Sequence, residues 1–157
     1  MSSSSKAILF QDTFDVYEMN QGGKKFERVN RLHCKGTAYD VDLTVDTNCE
    51  LFQVKVGQQL IVKLASTLSL TGAPDDGKYN PLKEDEASLA DGEDYVMHGR
   101  VFEIKHLDNT KVEVKASFGG LLFRLQGEQA RLDMFEMDQQ FFIMFRSLKS
   151  DNADMEF

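Results

Sequence analysis

Long apolar runs are missing from this sequence, and with them any segment of about 18 residues that would read as a membrane-spanning helix. The start, Met1-Ser2-Ser3-Ser4-Ser5-Lys6, leads into an apolar stretch of only residues 7–10, too short for the core of a secretory signal, so the reading is a soluble chain without conventional export. Cysteine is scarce: Cys34 and Cys49 stand alone and lack Cys-x-x-Cys spacing, which excludes a zinc ribbon and a disulfide framework and predicts reduced thiols in a nuclear or cytosolic protein. Cations are outnumbered, 18 Lys and Arg against 26 Asp and Glu, for a net charge of -8. Duplex DNA binding by the whole surface is thereby disfavoured, because phosphate neutralisation needs clustered Lys and Arg; a local basic stripe is still allowed. What is present is ordinary globular material, 41% hydrophobic and 28% charged over 157 residues, enough for one core and one domain.

The strongest pattern has period two. In Asp40-Val41-Asp42-Leu43-Thr44-Val45-Asp46 the apolar residues take every second position, and Val112, Val114, Ala116 and Phe118 repeat the pattern against Lys111, Glu113, Lys115 and Ser117. Such alternation marks half-buried antiparallel strands. Further strands are expected in residues 7–16, 26–34, 60–68, 95–107, 121–126 and 140–146, making eight. In 26–34 the alternation slips, with Phe26, Leu32 and Cys34 on even positions and Val29 odd, so a bulge is expected inside that strand. Helical pattern is confined to residues 127–134, with a turn expected in 48–57. The fold class is therefore all-β, a barrel or sandwich, and a closed barrel removes exposed edges.

Residues 70–94 differ in kind. They hold both prolines, Pro74 and Pro81, with eight acidic residues against Lys78 and Lys83. So acidic a segment, poor in large apolar residues, is expected to form a long mobile loop. The tails 1–6 and 149–157 are expected to be equally unanchored, leaving 7–148 as the single domain.

Candidates for catalysis fall away one at a time. His33, His98 and His106 lie in separate expected strands without metal-ligand spacing. Ser66 has no Gly-x-Ser-x-Gly elbow, and the densest carboxylates sit in the acidic segment, where burial cannot tune them. No catalytic residue, metal site or cofactor is expected. A phosphate loop at Gly119-Gly120 is excluded because Leu121 and Leu122 follow where Lys-Ser or Lys-Thr would be needed.

Three features invite a binding role. Between residues 24 and 35, five cations, Lys24, Lys25, Arg28, Arg31 and Lys35, stand against one acid, Glu27. They read either as a groove for a single-stranded nucleic-acid backbone, with stacking from Phe26 or Tyr39, or as a solvated strand face that pairs with the acidic segment. The Gly119-Gly120 pair inside an apolar run reads either as a barrel corner or as a patch where another backbone approaches. Phe141 to Phe145 is apolar on both faces, so one face needs a cover, and Arg124 and Arg146 within apolar runs suit interface anchors.

These residues together resemble one family: the small subunit, eighth in the usual numbering, shared by eukaryotic nuclear RNA polymerases I, II and III. The resemblance runs from Ile8-Leu9-Phe10-Gln11-Asp12-Thr13-Phe14-Asp15-Val16 to Arg146, nearly the whole chain, and includes Arg28-Val29-Asn30-Arg31, Glu50-Leu51-Phe52, Ala65-Ser66-Thr67-Leu68, Tyr79-Asn80-Pro81, Asp94-Tyr95-Val96-Met97 and the Gly119-Gly120-Leu121-Leu122 run ending Arg124-Leu125. Gln53, His98 and Phe123 depart from the family's usual Pro, Tyr and Met, and residues 149–157 extend past its common end. The resemblance implies an eight-stranded antiparallel barrel related to the OB-fold, with a long acidic loop, in a non-catalytic subunit of the nucleus, nucleolus included. It implies docking on the largest polymerase subunit, for which Tyr95, Met97, Gly119, Gly120, Leu121, Leu122 and Arg124 are the candidate contacts. Weak, sequence-independent binding of single strands would map onto Lys24, Lys25, Arg28, Arg31 and Lys35. A free-standing single-strand-binding module is the alternative, and the net charge of -8 favours a protein partner over it.

Overall fold

A computed structural model describes residues 8–20, 28–68 and 88–148. Eight strands form in chain order: β1 (Ile8–Met19), β2 (Val29–Gly36), β3 (Asp42–Asn48), β4 (Gln59–Ala65), β5 (Tyr95–His106), β6 (Lys111–Phe118), β7 (Leu121–Glu128) and β8 (Gln140–Leu148). A single helical turn, α1 (Gln129–Leu132), lies between β7 and β8, inside the segment where helical pattern was expected. All neighbours are antiparallel and the sheet closes on itself in the order β1-β2-β3-β7-β6-β5-β8-β4. The expected tails and residues 69–87 of the acidic segment lie outside the described residues.

Closure depends on the two longest strands, β1 and β5, of 12 residues each. Each serves two neighbours with different halves: β5 pairs β8 through residues 95–100 and β6 through 100–106. Register shifts fall at Ile8/Phe10 and Val16/Glu18 in β1 and at Val101/Glu103 in β5, and an extra residue at such a point bends a strand so that a sheet can curl. This corrects the bulge expected within residues 26–34. β2 runs against β3 without interruption from Val29 to Lys35, and the extra residue is Tyr17, on the strand opposite.

Inward-facing residues follow the period of two. Phe14, Leu32, Val45, Leu60, Phe123, Leu125, Phe141, Ile143 and Phe145 are all completely buried. Phe118, Phe123, Phe135 and Phe141 meet edge to face at centroid separations of 5.2 to 5.7 Å, the geometry that ring quadrupoles favour. Gly99 makes that cluster fit: a Cβ there would lie 2.3 Å from the Ser117 carbonyl oxygen and 2.5 Å from the Phe118 ring. Elsewhere Phe52 stacks on Tyr95 at 5.2 Å, with Phe145 against both, and Leu132 and Phe135 bury the connection between β7 and β8.

The apolar run of β8 divides as its pleat requires, with Phe141, Ile143 and Phe145 inside. Met144 faces out between Lys63 and Val96 and is nonetheless fully buried. Residues 88–94, the end of the acidic segment, are tied down against this face. Asp94 donates its N–H to the Phe145 carbonyl and accepts from the Ser147 N–H. Glu93, with no side-chain exposure, lies 2.8 Å from Lys63 and 3.2 Å from Arg146. Arg146 is thus anchored within the chain by Glu93.

Candidate functional site

The basic stretch resolves into cations that already have partners. Arg31, facing out from β2, donates Nε and Nη2 to the two oxygens of Asp46 at 2.7 and 3.0 Å, a bidentate fork, and Asp46 raises its pKa further above the ordinary arginine value. Lys35 lies 2.6 Å from Asp40 and 3.5 Å from Asp42, and the bond from Asp40 lifts its pKa while Lys35 depresses that of Asp40. Arg28, at a φ of 65°, sits 3.4 Å from Glu50. Lys24, Lys25 and Phe26 lie outside the described residues. Among the described residues, the acids that pair with Arg28, Arg31 and Lys35 come from β3 and from the turns flanking it, while residues 70–87 of the acidic segment, the expected counter-charge, lie outside the described residues. The register sets this directly, since Arg31 faces Asp46 and Lys35 faces Asp42 across the β2–β3 ladder. Tyr39, a candidate for base stacking, packs on Phe10 at 5.8 Å and carries the Arg131 guanidinium 4.4 Å from its ring centroid.

Asp46 is the residue that pattern reading passed over. Its alternation with Val45 assigns it to the outer face, yet it is only 5% exposed. The β3–β7 ladder stops at Val45 and Phe123, and one residue further along the Asp46 carboxylate accepts the Leu122 N–H at 3.1 Å. One carboxylate therefore joins β2, β3 and β7. Asp12 does similar work on β1, where its buried carboxylate accepts the N–H groups of Thr13, Ala38 and Tyr39 and holds the β2–β3 turn. The sequence signal for Asp46 is its position opposite Arg31, which becomes visible only once the register is known.

Gly119 and Gly120 form the two-residue turn of the β6–β7 hairpin, with Phe118 paired to Leu121 on either side. Their φ values are 62° and 99°, the left-handed region demanded at both central positions of such a turn. A Cβ at either site would meet nothing within 4 Å, so backbone conformation and not close approach within the chain requires glycine. Neither a barrel corner nor a bulge inside a strand is found there. Leu121, Leu122 and Arg124 are half-buried, with Leu122 and Arg124 on the outer face of β7. Arg124 lies 3.7 Å from Glu113, which Lys115 also approaches at 3.9 Å. Tyr95 and Met97 belong elsewhere: both point into the barrel and are 9% exposed, and the Tyr95 hydroxyl accepts the Asn48 N–H. The seven candidate contacts therefore divide into a hairpin group, Gly119, Gly120, Leu121, Leu122 and Arg124, and two largely buried core residues, Tyr95 and Met97.

Chemistry of other kinds finds little footing. Among the described residues no group of three or more His, Cys, Asp or Glu could hold a metal, and no helix is long and apolar enough to cross a membrane. Cys34 is buried, and burial pushes its thiol up to about 12, so it is an inert core side chain.

Comparison with known proteins follows the same line. The family model described as RNA polymerase Rpb8 matches residues 11–147. Subunit 8B of DNA-directed RNA polymerases II, IV and V from Arabidopsis thaliana is 37% identical over 147 residues, covering 92% of this chain and 99% of that one. The DNA-directed RNA polymerases I, II and III subunit rpabc3 of Dictyostelium discoideum is 40% identical, covering 89% and 97%, and the Saccharomyces cerevisiae subunit RPABC3 is 33% identical, covering 88% and 97%. Among solved structures, the cytoplasmic molybdate-binding protein ModG aligns at 10% identity over 87% of this chain and 89% of that one with a TM-score of 0.29, too weak to bear on fold or ligand.

Proposed function

The chain belongs to the RNA polymerase Rpb8 family, and we propose on that premise that it is a non-catalytic, architectural subunit of nuclear DNA-directed RNA polymerases I, II and III. The observation that carries this reading is a family match over 11–147, which takes in β2 to β7 whole and most of β1 and β8. Its place is the nucleus, nucleolus included, as polymerase I membership requires. Its partner is the largest subunit, met by the outer face of the β6–β7 hairpin. Gly119 and Gly120 give that hairpin a narrow tip without side chains, Leu121 and Leu122 add half-buried apolar area, and Arg124 is held only loosely by Glu113 at 3.7 Å, leaving its guanidinium available to a partner.

Single-stranded nucleic acid is a minor ligand at most. With Arg28, Arg31 and Lys35 each beside a carboxylate, Lys24 and Lys25 would have to supply most of the counterion release, and two cations give weak, salt-sensitive binding. A free-standing single-strand binder would need an open basic groove with a stacking platform, and Tyr39 is already engaged. The test is affinity purification of the tagged full-length chain from nuclear extract. The expected result is near-stoichiometric recovery of the largest subunit of each polymerase; recovery of nucleic acid without polymerase chains would overturn the reading.

A further inference from the structure

Between α1 and β8 the chain makes a tight turn, Asp133-Met134-Phe135-Glu136-Met137-Asp138, that is fastened from beneath and open above. Phe135 is 6% exposed and meets Phe141 at 5.6 Å. The Glu136 N–H donates to the Gln139 side chain, the Gln139 N–H donates to the Glu136 carbonyl, and Asp138 holds a φ of 62°, a conformation residues other than glycine seldom adopt. Two bonds set this turn against β5: Asp138 N–H to the Val101 carbonyl, and Val101 N–H to the Gln139 carbonyl. The next residue of β5 is Phe102, the extra residue of its bulge.

Phe102, Met134 and Met137, which do nothing for the core, are 48%, 50% and 53% exposed. Asp133, Glu136 and Asp138 alternate with the methionines, all exposed, and none of them makes an ion pair among the described residues. Arg100, two residues before Phe102, pairs with none of them either.

We propose that this turn, with Phe102 of the β5 bulge, is a second docking surface, for a protein segment that carries large apolar side chains flanked by lysines. Charge complementarity selects the occupant: an apolar centre asks for apolar side chains, and three unpaired carboxylates ask for cations. The same carboxylates repel a nucleic-acid backbone, and a second copy would bring two acidic rims together. The turn is held rigid, so little ordering entropy opposes binding, while the unbranched methionines adapt to the shape they meet. The surface is separate from the hairpin. Val101, which carries the turn, pairs with Ala116 of β6, and Ala116 pairs with Phe123 of β7, so one strand stands between the turn and the Leu122–Arg124 face.

The proposal concerns a different surface from the polymerase reading but takes from it the setting of its test, and the two can fail separately. The tagged full-length chain, purified with its bound chains, is treated with dilute hydrogen peroxide and, in parallel, with a carbodiimide that couples carboxylates to neighbouring lysines. Oxidation of Met134 and Met137 is expected to fall at least fivefold relative to the isolated chain, with Asp133, Glu136 or Asp138 coupled to a lysine of another chain. Unchanged oxidation overturns the proposal; so does coupling only to this chain or to a second copy, and so does protection without coupling, since that would mean a cover lacking the cations. Should the chain emerge with no polymerase subunit, the polymerase reading fails and the surface is judged on the free chain, titrated with the synthetic peptide Lys-Lys-Leu-Phe-Lys-Lys. The expected result is displacement of the Met134 and Met137 methyl resonances, with binding at least tenfold weaker in the triple variant Asp133→Asn, Glu136→Gln, Asp138→Asn. No displacement, or equal binding by the variant, would overturn the proposal.

Discussion

The outer wall formed by β2, β3 and β7 and the turn at 133–138 are both densely charged, and they dispose of that charge in opposite ways. On the wall Arg31 meets Asp46 and Lys35 meets Asp40 and Asp42, partners fixed by strand register. In the turn three carboxylates stand beside two exposed methionines, and none of them makes an ion pair among the described residues. The lesson is that a run of charge reports a binding surface only when the fold leaves it unspent. The three described cations of a net positive stretch, Arg28, Arg31 and Lys35, each lie beside a carboxylate, and the unanswered charge among the described residues is of the opposite sign.

The largest effect expected from this contrast is at Asp46. Asp46→Ala leaves the Leu122 N–H without its acceptor and removes the fork that holds Arg31, and loss of a buried carboxylate with three donors should cost about 2 to 4 kcal/mol. Urea denaturation of the full chain measures this as a lower midpoint at unchanged slope. A cost below about 0.5 kcal/mol would make the Arg31–Asp46 pair surface decoration and erase the contrast.

A smaller effect is expected at Lys35 and Asp40, which are exposed, so that solvent screens the pair. Its sign with pH is nonetheless defined. The Asp40 carboxyl is held below its ordinary 3.8, so its contribution is present above that value and is lost as pH falls through the depressed one. Lys35 is raised above its ordinary 10.5, so its contribution is present below that value and is lost as pH rises through the raised one. Lys35→Ala should return the Asp40 titration, followed by carboxyl carbon resonances, upward toward 3.8; an unmoved titration would remove Lys35 as the cause.

The smallest effect on stability belongs to the turn. Asp133→Asn, Glu136→Gln and Asp138→Asn together should change unfolding free energy by less than about 0.5 kcal/mol, because no ion pair is lost and Asn accepts the left-handed backbone at position 138. A loss of several kcal/mol would mean that these acids, like those of the wall, are spent on the fold.

The fold was legible to the extent that period two reports burial. All eight strands stand where alternation or β-rich composition put them, and the one helical turn lies inside the expected segment, because each strand has one face on a single core. The bulge was assigned to the wrong strand. A slip between two strands leaves the same mismatch whichever one carries the extra residue, and only pairing shows that it is Tyr17. Gly119-Gly120 falls between two expected strands, yet it reads as a barrel corner or a close-approach patch because Phe118 and Leu121 are apolar on both sides; a hairpin whose strands are apolar up to the turn looks continuous in sequence. Site residues were less legible for the same reason. Tyr95 and Met97 could not be told from outward residues without the pleat, and the partners of Arg31 and Lys35 lie across a ladder that local sequence does not display.

The most direct test of the account is made at the hairpin's outer face with Leu122→Lys combined with Arg124→Ala. Both side chains face out, and the Leu122 N–H that Asp46 accepts is retained. The account predicts that the free variant keeps a cooperative unfolding transition within a few degrees of the parent while recovery of the largest polymerase subunit from nuclear extract falls at least tenfold. A stable, folded variant that still recovers that subunit at the parental level would contradict it.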